Sequence, residues 1–375
     1  MAVLALVVGC GAVAAWSQVD GEDADGGGRA SSTTSTSAAT DEASSVSGRS
    51  TASSASTTSS APPGEPSGNA VTLAFAGDTN FNATQSPSLL ADPGSRIRPM
   101  RPWLERADLA VVNLETAITT RGVAASKAFT FRAPPSVLRA FPDNGVDVVS
   151  MANNHGMDYG TDGLIDSIAA KRSAPLAVIG IGADEDEAFA PFRAEVRGQR
   201  IAVIAATQVL DESLITEWTA TATKGGLASA KRVDRLVDEV RRARATSDTV
   251  VVFLHWGVER TTCPSADQQA LALRLVDAGA DVIVGSHAHR VLGGGRLGKA
   301  FVDYGLGNFG FYPGGGEGAI TGVLTVTVRG RQIVSYEWTP GLIRDDRVPY
   351  PLSGDAASSA VAAWNALRPC TGLAA

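Results

Sequence analysis

A nucleophile elbow, a Walker-type phosphate loop and a dinucleotide fingerprint that opens a helical pattern are all missing from the sequence. Each absence removes a class of chemistry: hydrolysis by an elbow serine, P-loop phosphoryl transfer, and nicotinamide or flavin redox. Positive charge is scarce as well. The formal net charge is −7, of which −5 falls before Ala70 and −2 on the remainder. No basic stripe with interleaved aromatics occurs, which argues against a nucleic-acid partner. Cysteine is limited to Cys10, Cys263 and Cys370, and there are only 4 histidines.

The opening apolar stretch, "MAVLALVVGCGAVAAW", falls short of the about 20 residues that a comfortable transmembrane helix needs. It reads as the apolar region of a secretory leader over residues 1–19, although no basic segment precedes it. "VVGC" at 7–10 resembles a bacterial lipoprotein box, in which Cys10 would be lipidated and become the mature N-terminus. The chain is then expected to be exported, at the outer face of the cytoplasmic membrane or in the cell wall, held by a lipid anchor. Residues 20–69 are Ser, Thr, Ala and Gly with almost no large apolar side chain. Such a segment cannot bury enough area to offset its ordering entropy and is expected to be a disordered tether. The folded domain is expected over residues 70–375, long enough for one large α/β unit. Cys263 and Cys370 are left either as a pair in an oxidising compartment or as free thiols, and their separation does not decide between the two.

Continuous apolar, β-branched runs predict strands covered on both faces. They are "VTLAFAG" at 71–77, "LAVVNLE" at 109–115, "VDVVSMA" at 146–152, "LAVIGIG" at 176–182, "RIAVIAAT" at 200–207, "TVVVFLHWG" at 249–257, "DVIVGSH" at 281–287 and "KAFVDYGLG" at 299–307. Between two pairs of them lie helical patterns. In "ASAKRVDRLVDEVRRARA", Val233, Leu236, Val237, Val240 and Ala243 recur at helical spacing. In "SADQQALALRLVDAGA", Ser265 is the expected N-cap and Gly279 the C-terminal stop. Strands alternating with helices imply α/β layers. "AITGVLTVTVRGRQIVSYEWTP" instead predicts an antiparallel hairpin turning at Arg329 and Gly330, so the sheets should be mixed.

Polar residues collect at the ends of these strands. They are Asp78 and Asn80; Asn113 and Glu115; Asn153, Asn154, His155 and Asp158; His255 and Glu259; His287 and His289; and Asn308. The carboxyl ends of strands in α/β sheets face the site crevice, so groups far apart in sequence can converge there. All four histidines are among them. Imidazole mixed with carboxylate and amide oxygens suits one or two divalent Mn, Fe or Zn ions better than a hard all-oxygen site. A turn from Gly285 to His289 has to present the last two histidines.

In order along the chain, "GDTNF", "NLET", "ANNHGMDYG", "HWGVE", "GSHAHR" and "LGNF" resemble the CapA-type poly-γ-glutamate capsule-synthesis family, a branch of the calcineurin-like metallophosphoesterase superfamily. The likeness runs from Val71 to Phe309. It implies a metallophosphoesterase-like β-sandwich of two mixed sheets flanked by helices, in four αββα layers, with a metal site at the strand ends. By the same resemblance Asp78 and His289 bind a first metal, Asn154, His255 and His287 a second, and Glu115 stands in the bridging position. His155 stands where the superfamily keeps a non-ligand histidine that acts on the leaving group. Two residues depart from the wider pattern: Asn80 replaces a histidine, and Glu115 replaces an aspartate.

Other positions have both functional and structural readings. Asp158 either orients a histidine or closes a turn. Asn113, Asn153 and Asn308 either serve the site or tie loops together. Glu259 either faces substrate or stands on the rim, and Lys127 and Arg132 either meet an anionic substrate or lie on solvated loops. The resulting expectation is an exported, membrane-tethered, metal-dependent hydrolase or transferase of the cell envelope, serving synthesis or attachment of a poly-γ-glutamate-type capsule or anionic wall polymer. Its partners would be that polymer, the membrane through a lipid anchor, and capsule-synthesis membrane proteins. The alternatives are a non-catalytic polymer-binding scaffold and, if the first seventy residues are irrelevant, a cytoplasmic nucleotide phosphodiesterase.

Overall fold

The computed structural model describes residues 68–82, 88–312 and 316–375. The expected leader, Cys10 and the tether up to residue 67 lie outside the described residues. No helix among the described residues is long and apolar enough to cross a membrane.

The principal elements are β1 (Val71–Thr79), β2 (Leu109–Leu114), β3 (Val148–Ser150), α1 (Gly160–Ser173), β4 (Ala177–Ile179), β5 (Phe192–Val196), β6 (Gln199–Thr207), α2 (Val233–Arg244), β7 (Thr249–Trp256), α3 (Ala266–Ala278) and β8 (Val282–His287). After them come β9 (Gly294–Leu297), β10 (Ala300–Asp303), β11 (Asn308–Gly310), β12 (Ile320–Arg329), β13 (Gln332–Ile343), β14 (Pro349–Pro351) and α4 (Gly354–Ala366). The first sheet runs β14-β13-β12-β1-β2-β3-β4, with β11 beside the end of β1. The second runs β9-β10-β8-β7-β6-β5. Within the first, β1 to β4 are parallel and β12 is antiparallel to β1. Within the second, β6, β7, β8 and β10 are parallel and both edge strands antiparallel. Both sheets are therefore mixed.

Side-chain alternation builds the layers. Leu73, Phe75 and Val111 of the first sheet meet Val203, Val251 and Phe253 of the second in one shared core. On the outer face of the first, Ala74, Val112 and Val149 pack with Leu164 and Ile168 of α1. On the outer face of the second, Ile204, Val252 and Ile283 pack with Leu236 and Val240 of α2 and with Leu271 and Leu275 of α3. This is the four-layer αββα sandwich of two mixed sheets flanked by helices, and it is why the parallel strands read as continuous apolar runs rather than alternating ones.

Helix α3 starts and stops where its ends predict. Ser265 Oγ accepts from the Gln268 N–H while the Gln268 side chain accepts from the Ser265 N–H, and Gly279 ends the helix at φ +115°. The run "LAVIGIG" does not stay one strand. The chain turns at Gly180, φ +88°, so β4 ends at Ile179 and Ile181–Gly182 pairs instead with Gly226–Leu227. Gly180 lies against Ala152, where a Cβ would stand 2.5 Å from the alanine methyl. The β12–β13 hairpin forms with its turn at Gly330 and Arg331, one residue later than expected. Cys263 and Cys370 are disulfide-bonded.

Candidate metal centre

The carboxyl ends of both sheets meet at one place. β1 delivers Asp78, the end of β2 delivers Asn113 and Glu115, and the turn after β3 carries Asn153, Asn154 and His155. β7 delivers His255, β8 delivers His287 and β11 delivers Asn308. Residues two apart on a regular strand share a face, so the pleat alone could have kept His287 and His289 together. The chain instead leaves the strand: both histidines adopt positive φ, +96° and +51°. Left-handed backbone at two non-glycine residues costs of the order of 1 kcal/mol or more each and persists where the surroundings dictate it.

Glu115 is the centre of the arrangement. It is fully buried, and neither carboxylate oxygen has a hydrogen-bond partner. Three imidazole Nε2 atoms surround its Oε1, from His255 at 3.7 Å, His155 at 3.8 Å and His289 at 3.9 Å. Glu115 groups with Asp78 and His289 on one side and with His255 and His287 on the other, each group with ligand atoms within 4.8 Å of one another. On the second side, His255 Nε2 lies 2.8 Å from Asn154 Oδ1 and 3.2 Å from His287 Nδ1. A buried carboxylate without donors is costly unless something positive meets it. These residues therefore fit a divalent cation, and the sharing of Glu115 fits two.

Electrostatics agree with that fit. Burial and the neighbouring Asp78 push the Glu115 carboxyl well above the usual carboxylate range. Burial would also raise Asp78, but the hydrogen bond and charge of His289, with His255 and Asn113, hold it well below that range. Burial, then the nearby imidazoles, lower His255 well below its ordinary value, and burial with His289 lowers His287 to about 3. Both are neutral at physiological pH, the form that ligates. For His289 burial is outweighed by Asp78 and Asn308, and the net shift is upward.

A ring of polar contacts orients these groups. Asn113 Nδ2 donates to Asp78 Oδ1 at 2.8 Å and Asn153 Nδ2 donates to Asn113 Oδ1 at 3.1 Å. Asn308 Nδ2 donates to the Tyr312 and Gly318 carbonyls, so its Oδ1 accepts from His289 Nδ1–H at 2.8 Å and leaves His289 Nε2 facing Glu115. Ser286 Oγ, which the sequence reading missed although it stands inside "GSHAHR", meets His255 Nδ1 at 2.9 Å.

His155 forms a separate unit. Its Nδ1 is 2.5 Å from Asp158 Oδ2, which also accepts the Phe131 N–H at 2.6 Å. Phe131 lies over the imidazole with ring centroids 4.1 Å apart. Burial lowers the His155 pKa despite the Asp158 hydrogen bond. Behind Asp158, Lys127 Nζ sits 3.1 Å from Asp158 Oδ1, 3.3 Å from Asp211 Oδ2 and 2.5 Å from the Asn154 carbonyl. The Lys127 side chain is only 8% exposed, so it is spent inside the protein rather than offered to substrate.

Arg132 does not join the site either; its guanidinium stacks on Tyr159 at 4.5 Å. Asn80 turns its Oδ1 to the Asn82 N–H at 2.6 Å. A cavity of about 280 Å³ opens in front of the cluster, walled by His155, His289, Asn308, Phe131, Phe311 and Tyr312, with Glu259, Arg260 and Arg290 at its charged side. Arg290 closes the motif "GSHAHR" and could have been singled out there, whereas Arg260 stands just past "HWGVE" with no such signal.

The family model described as bacterial capsule synthesis protein PGA_cap matches residues 72–313. The capsule biosynthesis protein CapA of Bacillus anthracis is 32% identical over 58% of this chain and 54% of its own. The PGA biosynthesis protein CapA of Bacillus subtilis is 28% identical over 57% of this chain and 56% of its own. This chain thus spans about half the length of the curated relatives it matches. A crystal structure of a hypothetical protein from Thermus thermophilus superposes with a TM-score of 0.46 at 20% identity, covering 72% of this chain and 98% of that one.

Proposed function

The chain belongs to the bacterial capsule synthesis PGA_cap family, and from that premise we propose that it is a metal-dependent hydrolase or transferase of the cell envelope, acting on a poly-γ-glutamate-type capsule or a related anionic wall polymer. The observation that carries this reading is the Glu115 carboxylate, buried without a donor and faced by three imidazoles. The relatives' naming for capsule and PGA biosynthesis supports the polymer. A disulfide suits an oxidising compartment, which supports export and, with the lipoprotein-like "VVGC", a lipid anchor at Cys10 on the outer face of the cytoplasmic membrane.

Asp78 and His289 would hold one divalent ion, Asn154, His255 and His287 a second, and Glu115 would bridge them. A divalent cation supplies Lewis acidity, polarising a phosphoryl or acyl oxygen and lowering the pKa of water. The chain's own residues do the rest. Asn113, Asn308 and Ser286 fix the ligand side chains. Asp158 holds the Nδ1–H of His155, so Nε2 is the atom that exchanges a proton with the leaving group. Phe131 and Phe311 keep one wall of the cavity apolar and exclude water from that transfer.

Metal analysis of the purified protein, followed by turnover of γ-glutamyl oligomers and generic phosphodiesters, tests the proposal. Expected is metal-dependent turnover that falls by about 10²–10⁴ in His155→Ala with metal content unchanged. A metal-free protein that still binds polymer would replace this reading with that of a non-catalytic scaffold.

A further inference from the structure

The loop from Gly257 to Cys263 follows β7 and is fastened along its length. Gly257, φ +94°, lies so close to Gln268 that a Cβ there would stand 2.7 Å from its amide. The Arg260 N–H donates to the Ala288 carbonyl at 2.7 Å, between His287 and His289. Cys263 is bonded to Cys370. Arg260 itself is held at φ +65°, a conformation that an arginine adopts only under constraint. The constraint places an exposed guanidinium, with no protein partner among the described residues, on the wall of the cavity in front of the metal cluster.

A second guanidinium faces the same cavity. Arg290 follows His289 directly, and its Nη1 donates to the His289 carbonyl at 2.9 Å. Its side chain is only 15% exposed, and its buried Nε has no hydrogen-bond partner; the nearest carboxylate oxygen, of Glu317, is 3.6 Å away. Arg290 also lines a second, more apolar cavity of about 160 Å³ that contains Trp338 and Trp364. The space therefore continues on both sides of it. A planar guanidinium with free donors matches a carboxylate or phosphate. Two of them, beside apolar walls of Phe131, Phe311 and Tyr312, match charges separated by aliphatic chain.

We propose that Arg260 and Arg290 form an anion subsite on the His289 side of the metal cluster, which binds successive carboxylates of an extended acidic chain. The inference rests on the reading of the cluster as the reacting centre, and it assigns specificity to residues outside that cluster. Glu259 lines the same cavity, so the subsite is of mixed charge rather than a simple basic patch.

Equilibrium binding to the metal-loaded full chain tests it, using a γ-linked glutamate oligomer of roughly six residues, the same oligomer with its carboxylates amidated, and inorganic phosphate as a competitor. Expected is binding of the acidic oligomer, at least about tenfold weaker binding of the amidated one, and a loss of about tenfold or more in each of Arg260→Met and Arg290→Met. Arg290→Lys keeps the charge but not the fork and is expected to fall between wild type and Arg290→Met, which guards against misfolding of the methionine variant. Equal binding of the amidated oligomer, unchanged affinity in the double methionine variant, or complete displacement by phosphate at concentrations near the oligomer's would each overturn the subsite. Turnover measured in parallel separates the two ideas: binding that depends on both arginines without turnover removes the hydrolase and keeps the subsite, whereas turnover indifferent to them does the reverse.

Discussion

Individual side chains differ in how far sequence alone could place them. Asp78, Glu115, Asn154 and the four histidines could be singled out because each stands in a short motif at a strand end, and the fold needs only to bring strand ends together. Lys127 could not be placed, because its partners depend on how three separate loops stack. It links Asp158, Asp211 and the Asn154 carbonyl, and so braces both the histidine dyad and a residue of the proposed ligand set. Breaking a buried pair from one side leaves an uncompensated charge and typically costs about 3–5 kcal/mol. Lys127→Met is expected to lower stability by that order and kcat per folded molecule by about tenfold or more, with partial recovery in Lys127→Arg. A stability loss with unchanged kcat would make Lys127 purely structural. Asp303, at the end of β10, gives a pH prediction away from the cluster. Burial, against a hydrogen bond from the Gly305 N–H, pushes its carboxyl up to about 7. The folded chain then holds a proton that the unfolded chain releases, so this contribution to stability is complete below the usual carboxylate value and is lost as pH rises through about 7. Urea unfolding free energies are expected to show Asp303→Asn gaining on wild type from pH 5 to 8 by roughly 2–3 kcal/mol, most of it between pH 5 and about 7. Parallel pH profiles for the two proteins would contradict it.

At the scale of elements, what could be read was whatever is covered on both faces. The parallel strands β1 to β3 and β6 to β8 announce themselves as apolar runs, and α3 by its cap. Missed were elements whose sequence carries no such mark. β5 alternates half-buried and exposed residues at a sheet edge, β9 begins with two glycines, and β14 begins and ends in proline. α1 buries only Leu164 and Ile168 as large apolar residues, among the small Gly163, Ser167 and Ala170, so its apolar stripe is thin, and in α4 only Trp364 is buried. The disulfide links the Gly257–Cys263 loop to the short segment after α4 across 107 residues of sequence. In the chain-entropy view a loop of that size is worth about 4–5 kcal/mol. Replacing both cysteines by serine is expected to lower unfolding free energy by up to that amount and to raise KM more than it lowers kcat, since the freed loop carries Arg260 and not His155. An unchanged KM would show that the bond serves only the C-terminal helix.

For the molecule as a whole, the decisive feature is that the proposed ligand set is divided between the two sheets. Asp78, Glu115 and Asn154 come from the first; His255, His287 and His289 come from the second, across the shared core. The order of motifs could reveal the set but not this division, because sheet membership depends on pairing between strands far apart in the chain. A cation held by both halves would cross-link them, and anything that binds the folded but not the unfolded chain stabilises it by mass action, about 2.7 kcal/mol at a hundred times its dissociation constant. Adding Mn or Zn to chelated protein is therefore expected to raise the unfolding midpoint in a concentration-dependent way. Glu115→Gln should lose most of that rise because it removes the carboxylate common to both groups, while His155→Ala should keep it because His155 belongs to neither group. If His155→Ala and Glu115→Gln lose the effect equally, His155 belongs to the ligand set and its assigned proton transfer fails; if neither loses it, the cation sits elsewhere and the two sheets are joined by packing alone.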